Sequence, residues 1–276
     1  MTPGDGAAAA LFIPRDDGTF QPTELTRGGW SDDAQHGSPP SGLLARAIER
    51  VTSAFPMQMV RYTIDLYRPV PLDPLTVTTR TLRDGRRIQV VEALLFAGEL
   101  EVGRASGLKI RVTELDLPVL PDHQQWEQPP GPGGVPVMDW EELFGRPPRT
   151  VRFHVHGVEI RTIDGSFHTL GPGTSWFRLR QPLVAGEVPT PFQRLATLAD
   201  MSNGNSQSID SRHWTYVNPD ITLYLHRLPA GEWVGMRSVA HQHPSGIGLA
   251  ESRVFDEDGL IGTINQAQLL DRQRRG

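Results

Sequence analysis

Apolar residues recur at helical spacing in two stretches. Leu43, Leu44, Ala47, Ile48 and Val51 fall on one stripe, which predicts a helix over about 39–54 with one buried face. Ser38 is placed to cap it. Pro39 and Pro40 fall in its first turn, where a missing N–H costs little. Gly42 weakens this helix but permits close approach of another backbone or a ligand. The second stripe is Phe192, Leu195, Ala196 and Ala199. Its helix starts at Pro191, with Thr190 as cap and Gln193 three residues on, the spacing of a capping box. Elsewhere the pattern shortens to strand-like runs. Four follow the first helix, at about 57–69, 75–83, 87–97 and 100–113, separated by turn residues such as Asp84-Gly85 and Ala97-Gly98. Four follow the second, at about 220–228, 232–242, 246–256 and 260–272. Further candidates lie at 11–14, 19–25, 151–163 and 174–182.

The chain therefore reads strand, helix, four strands, and then repeats that order. Thr63-Ile-Asp-Leu-Tyr-Arg68 aligns with Thr222-Leu-Tyr-Leu-His-Arg227 at an offset of 159 residues, and Gly103 aligns with Gly262 at the same offset. The alternative is two unrelated α+β domains. Between the halves, Leu117 to Arg149 holds eight Pro and four Gly and reads as a linker, with one helical turn at about 139–144. The expected organisation is a unit over 1–115, a linker over 116–150 and a second unit over 151–276.

Composition narrows the chemistry. The 276 residues contain no Cys, which excludes disulfides, thiolate metal sites and a cysteine nucleophile. A net charge of −5 argues against a nucleic-acid partner bound through a basic surface. No run approaches the ~20 apolar residues of a membrane span, and the first residues lack the charged start and apolar stretch of a secretory signal. A cytoplasmic protein without membrane insertion is expected. His241 and His243 alternate without a nearby third ligand, so a loop end is expected there and no metal.

Three motifs carry a resemblance. A long helix wrapped by an antiparallel sheet, present twice, resembles a double hotdog protein. Leu195-Ala-Thr-Leu-Ala-Asp200-Met201 resembles the central helix of the bacterial type II acyl-CoA thioesterase family. Asn218-Pro-Asp-Ile-Thr-Leu-Tyr-Leu-His226-Arg227 is similar to that family's Asp-His-Ser-x-x-Phe-His-Arg strand. Ile261-Gly-Thr-Ile-Asn-Gln266-Ala-Gln268 resembles its last strand. The resemblance implies an α+β double hotdog with two long helices and the two halves joined into one continuous sheet. It implies an acyl-CoA thioester hydrolase of lipid metabolism, without a cofactor, assembled as a homodimer or larger oligomer. The family's base then falls on Asp200 and its water-holding amide on Gln266. The hydroxyl position falls on Asn218, a departure from Thr or Ser, with Thr222 on the same strand as a substitute.

The residue types suit that chemistry, because a thioester carbonyl can be attacked by a positioned, deprotonated water. A carboxylate beside an apolar tunnel is expected to have a raised pKa. Asp200 sits near a helix C-terminus with no local compensation for its charge. Gln266 is flanked by polar residues, which also fits a solvent face, and Asn218 before Pro219 also fits a turn. His36-Gly37 is either a helix-entry turn or a place where Gly37 lends N–H groups to a thioester carbonyl. Ser202 and Asn203 are supporting candidates, and Asn203 or Gly204 is a C-cap candidate. Gly37, Gly42, Thr222, Ser202 and Asn203 thus complete the expected substrate-binding set. Two other readings stand beside this one. A hotdog hydratase acting on enoyl or hydroxyacyl thioesters would pair an Asp with a His, but its motifs are missing. A non-catalytic acyl-thioester binding protein would keep the fold without the water-holding set.

Overall fold

One-sided strands need strict alternation, and the chain supplies it. In the strand Ile247–Asp256, Gly248, Ala250, Ser252 and Val254 are buried while Ile247, Leu249, Glu251 and Arg253 are exposed. The computed structural model describes residues 10–118, 126–145, 150–165, 167 and 169–273. Its elements are β1 (Phe12–Pro14), β2 (Phe20–Pro22), α1 (Ser38–Arg50), β3 (Met57–Leu66), β4 (Leu75–Asp84), β5 (Ile88–Ala97), β6 (Leu100–Arg111) and α2 (Trp140–Phe144). They continue with β7 (Val158–Asp164), β8 (Gly173–Leu179), α3 (Pro191–Leu198), α4 (Met201–Asn205) and β9 (Trp214–Val217). The last four are β10 (Asp220–Leu225), β11 (Val234–His243), β12 (Ile247–Asp256) and β13 (Gly259–Arg272).

Thirteen strands form one antiparallel sheet, in the order β1-β2-β4-β5-β6-β3-β10-β13-β12-β11-β8-β7, with β9 added beside β13. β3 and β10 join the two halves. α1 lies on β4, β5 and β6 and packs against α3. Leu43, Leu44 and Ile48 of α1 and Leu195, Ala196 and Leu198 of α3 are fully buried between the helices and the sheet. Burial of such a side chain contributes about 1.5–3 kcal/mol.

The offset of 159 recurs in the pairing itself. Val77 pairs with Leu95 and Leu95 with Gly103; 159 residues on, Met236 pairs with Val254 and Val254 with Gly262. Each half carries a register shift at the matching place, between Leu95 and Phe96 and between Val254 and Phe255. Thr63 pairs with Thr222, its own counterpart, so a local two-fold passes between them. Gly103 and Gly262 are glycine for one reason. A Cβ on Gly103 would stand 2.9 Å from the Asp65 carbonyl oxygen, and a Cβ on Gly262 would collide with the carbonyl of Tyr224, the equivalent residue.

Several local expectations change. The second helix is divided, because Ser202 and Asn203 donate to the carbonyls three residues back, at Ala199 and Asp200. The run Ser202-Asn-Gly-Asn-Ser206 is poor helix sequence and does not resist the tight turn. α4 runs to Asn205 with Ser206 as its C-cap, in place of Asn203 or Gly204. Gly37, not Ser38, is the N-cap of α1, and the Ser38 hydroxyl is buried without a partner. Thr190 accepts from the Gln193 N–H (3.1 Å), but the Gln193 side chain turns to Glu49 (2.7 Å) instead of closing the capping box. Residues 119–125 and 146–149 of the Pro- and Gly-rich run lie outside the described residues. Its described part is packed: Trp176 donates to the Pro130 carbonyl (2.7 Å), and Trp126 and Val135 pack with Trp176 and Phe255.

Overpacking a close contact of this kind costs about 1–3 kcal/mol. Gly262→Ala is therefore expected to lower the unfolding free energy by that much, seen as a lower urea midpoint. Gly133→Ala, where a Cβ meets nothing within 4 Å, should stay within about 0.5 kcal/mol of wild type. Equal midpoints for the two variants would show that the cross-strand contact does not dictate the glycine.

Candidate active site

The helix pairing sets the site. Gly42 lies against Thr197 and Leu183, where a Cβ would overlap Thr197, so its missing side chain lets α1 and α3 approach. The Ser41 hydroxyl donates to the Ala196 carbonyl (2.9 Å) across the same contact. This brings the start of α1 over the break between α3 and α4, where Asp200 sits. Gly42 is thus a helix-packing residue, and the expectation that it approaches a ligand is corrected.

Asp200 is 6% exposed and is reached from three parts of the chain. His36 Nδ1, just before α1, lies 2.7 Å from Oδ2. Asn218 Nδ2, in the link between β9 and β10, donates to Oδ1 (2.7 Å). Gln266 Nε2, from the buried face of β13, donates to Oδ1 (3.3 Å). The Gln266 Oε1 atom is buried without a hydrogen bond. Gly37 covers the carboxylate: a Cβ there would stand 2.9 Å from Oδ2.

Behind this group runs a second row of amides. Asn203 Nδ2 donates to Asn218 Oδ1 (3.0 Å) and to the Tyr216 carbonyl (2.9 Å), which aims the Asn218 amide at Asp200. Gln268 donates to Asn203 Oδ1 (2.7 Å), and Gln242 donates to Gln268 (3.0 Å). Gln266 and Gln268 therefore face inward, not to solvent.

Asp200, Asn218, Gln266 and Gly37 are brought together, and Asn203 acts on them through Asn218. Ser202 is not at the carboxylate; its hydroxyl bonds Ser252 (2.5 Å). Thr222 is not there either. It pairs with Asn265, one residue from Gln266, and alternation turns its side chain to the other sheet face, where it bonds Thr63 (3.3 Å). Arg227, which ends the family-like strand motif, pairs with buried Asp256 through two 2.6 Å contacts. That pair holds the β12–β13 turn. No grouping of His, Asp and Glu among the described residues is arranged to hold a metal ion.

His36, in a segment expected either to be a helix-entry turn or to present Gly37 N–H groups, is a further partner of Asp200. Its local signal is only a His-Gly before a Pro-Pro helix start; the carboxylate it meets is 164 residues away. Among the described residues, the first half has no such centre. The position 159 before Gln266 is Gly107, where a Cβ would stand 2.6 Å from Ile48 Cγ2 and 3.0 Å from Met59 Sδ. Apolar side chains fill the equivalent space.

The expectation of a raised Asp200 pKa is reversed. Burial alone would push the carboxyl up, but the His36 charge and hydrogen bonds from His36, Asn218 and Gln266 hold it below its ordinary value. His154, 5.9 Å from His36 between ring centroids and beside Trp140, behaves in the opposite sense for a base. Burial first, then the neighbouring charges of His36, Arg152 and His156, push it down to about 3.

Residues 120–270 match the family model described as the acyl-CoA thioesterase C-terminal domain, and residues 26–110 match the corresponding N-terminal domain. No curated protein sequence matches the chain. Among solved structures, a candidate thioesterase II from Thermobifida fusca YX superposes with a TM-score of 0.72 at 17% identity, covering 96% of each chain. A conserved protein with a hot dog fold from Alicyclobacillus acidocaldarius gives 0.69 at 15% identity, over 94% of this chain and 93% of its own. The acyl-CoA thioesterase II TesB2 from Mycobacterium marinum gives 0.65 at 15%, over 88% and 92%. At these identities the likeness is one of fold: a hotdog-type antiparallel sheet with few helices. No helix among the described residues is long and apolar enough to cross a membrane.

The two shifted groups set a pH dependence. Between about 6.5 and 3, unfolded chains protonate His154 and folded ones do not, so stability is lost as pH falls through that window, by up to about 1.4 kcal/mol per unit. The Asp200 contribution is present above the ordinary carboxylate value and is lost below it. Urea midpoints are expected to fall from pH 7 to pH 4.5, and His154→Phe should flatten that fall. An unchanged slope in the variant would assign the loss to another group.

Proposed function

The chain belongs to the acyl-CoA thioesterase family, and from that membership we propose that it hydrolyses an acyl thioester to a carboxylic acid and CoA, with Asp200 activating the attacking water. The observation that carries this reading is the buried Asp200 carboxylate held by Asn218, Gln266 and His36. A carboxylate offers about four lone-pair sites. Three are engaged, which leaves one for a water proton, and the free Gln266 Oε1 can accept the other. The water oxygen then attacks the carbonyl carbon as its proton passes to Asp200. The tetrahedral intermediate collapses with cleavage of the C–S bond, and the thiolate recovers that proton. Gly37, at the N-terminus of α1, supplies an N–H for the developing oxyanion.

A depressed pKa makes Asp200 a weak base, so positioning carries more of the rate than basicity. The His36 imidazole, with Nδ1 2.7 Å from Oδ2, restricts the carboxylate's rotation. The same reading takes the fold as a double hotdog, with units over 1–115 and 151–276 joined by 116–150. The reading further takes the protein as a homo-oligomer of lipid metabolism, from the family, and as cytoplasmic, from the sequence pattern. One observation favours a second reading. His36 with Asp200 is the pair of residue types that a hotdog hydratase uses on enoyl thioesters.

Thiol release across a panel of acyl-CoA chain lengths tests the proposal. Asp200→Asn should lower turnover by about 10²–10⁴-fold with the fold retained. Asn218→Ala and Gln266→Ala should lower it by smaller factors. Full activity of Asp200→Asn removes Asp200 from the mechanism. Loss of enoyl conjugation without thiol release favours the hydratase, and acyl-CoA binding without either reaction favours a binding protein.

A further inference from the structure

A pocket of about 390 Å³ is lined by Arg83, Arg86, Arg87 and Arg111. It lies at the tip of the β4–β5 hairpin against the end of β6. The backbone fixes the arrangement: the Gly85 N–H donates to the Ile88 carbonyl (3.0 Å) and the Arg111 N–H to the Arg87 carbonyl (2.9 Å). The Arg111 guanidinium is stacked over Phe55, 4.6 Å from the ring centroid. No carboxylate among the described residues forms an ion pair with any of the four, although many other arginines of the chain have such a partner. Asp84 and Glu49, the acids beside Lys109, hydrogen-bond elsewhere. Asp84 accepts from Gln89 (3.2 Å), and Glu49 accepts from Thr190 and Gln193 (2.7 Å each). In a protein of net charge −5, four arginines line one hollow without an ion-pair partner, and a multiply charged anion would relieve their mutual repulsion.

The local two-fold says what kind of site this is. The β4–β5 hairpin holds in the first half the place that β11–β12 holds in the second, where Gln242 begins the row of amides leading through Gln268, Asn203 and Asn218 to Asp200. The first half keeps a pocket at the rim, but Ile48 and Met59 fill the interior around Gly107. Lys109 replaces Gln268 and donates to the Val51 carbonyl (2.8 Å). An anion held by the arginines meets no reactive acid there. α1, 13 residues and so about 20 Å long, separates this end of the helix from the Asp200 end.

We propose that the four-arginine pocket is a second, non-hydrolytic site for an organic polyphosphate. Its volume is within the usual small-molecule range of about 300–1,000 Å³. Guanidinium forks match phosphate oxygens two at a time, and all four lining residues are arginine. The shared chemistry is a diphosphate, which either CoA or a free nucleoside diphosphate would bring.

Calorimetric titration of the full chain with inorganic pyrophosphate, ADP and CoA tests this. Pyrophosphate should bind saturably, one per chain, and more weakly as salt rises. Arg86→Gln with Arg87→Gln, at the exposed hairpin tip, should weaken it at least tenfold while the melting temperature is unchanged. Asp200→Asn should bind pyrophosphate as wild type does. CoA bound tenfold tighter than ADP at the arginine-dependent site would identify CoA as the source, and equal affinities would identify any diphosphate. Absence of saturable pyrophosphate binding at millimolar concentration, or equal binding by the double variant, overturns the proposal. None of these outcomes depends on thioester hydrolysis, so the site and the hydrolase reading stand or fall separately.

Discussion

Strands β3 and β10 pair antiparallel with Thr63 opposite Thr222, and everything else is arranged about that contact. Because Thr63 meets its own counterpart in an antiparallel pair, the two halves extend one sheet in opposite directions. Their helices then fall side by side on one face. The sheet alone would leave two apolar stripes exposed; placing α1 against α3 covers both. Gly42 lets the helices close, and Gly103 and Gly262 let the strands lie against their neighbours' carbonyls. Without this pairing, His36 and Asp200 have no reason to meet.

The meeting of His36 and Asp200 answers an energetic question. A carboxylate buried to this degree would be strongly penalised if isolated. Here it is charged because donors reach it from the start of α1, from the β9–β10 link and from β13. The same donors lower its pKa, which shifts the chemical burden from basicity to placement. The second row of amides through Asn203 and Gln268 serves that placement, since an Asn218 free to rotate would offer its oxygen as readily as its nitrogen.

Two copies of one pattern have diverged in what they enclose. The second half has Gln266 and Gln268 facing inward from β13. The first has Gly107 and Lys109 at the equivalent places, with Ile48 and Met59 filling the interior. A polar centre in one half and an apolar plug in the other keep one sheet geometry. Backbone pairing and inward alternation set that geometry; the chemistry of each inward residue does not.

The sequence by itself determined the elements and the repeat. The alternation of β5 and β12, the stripe of α1 and the Thr190 cap of α3 are local signals, and the offset of 159 was readable from Thr63 with Thr222 and Gly103 with Gly262. Asp200, Asn218 and Gln266 were legible through their motifs. What tertiary structure alone decided is which side chains meet. Thr222 left the site because one step of register turns it to the other face. Gly42 became a helix contact because α3 lies against it. His36 entered because its partner lies on the other side of the two-fold. The direction of the Asp200 pKa shift reversed for the same reason. Compensation for a buried charge depends on donors close in space, and no local window of sequence contains them.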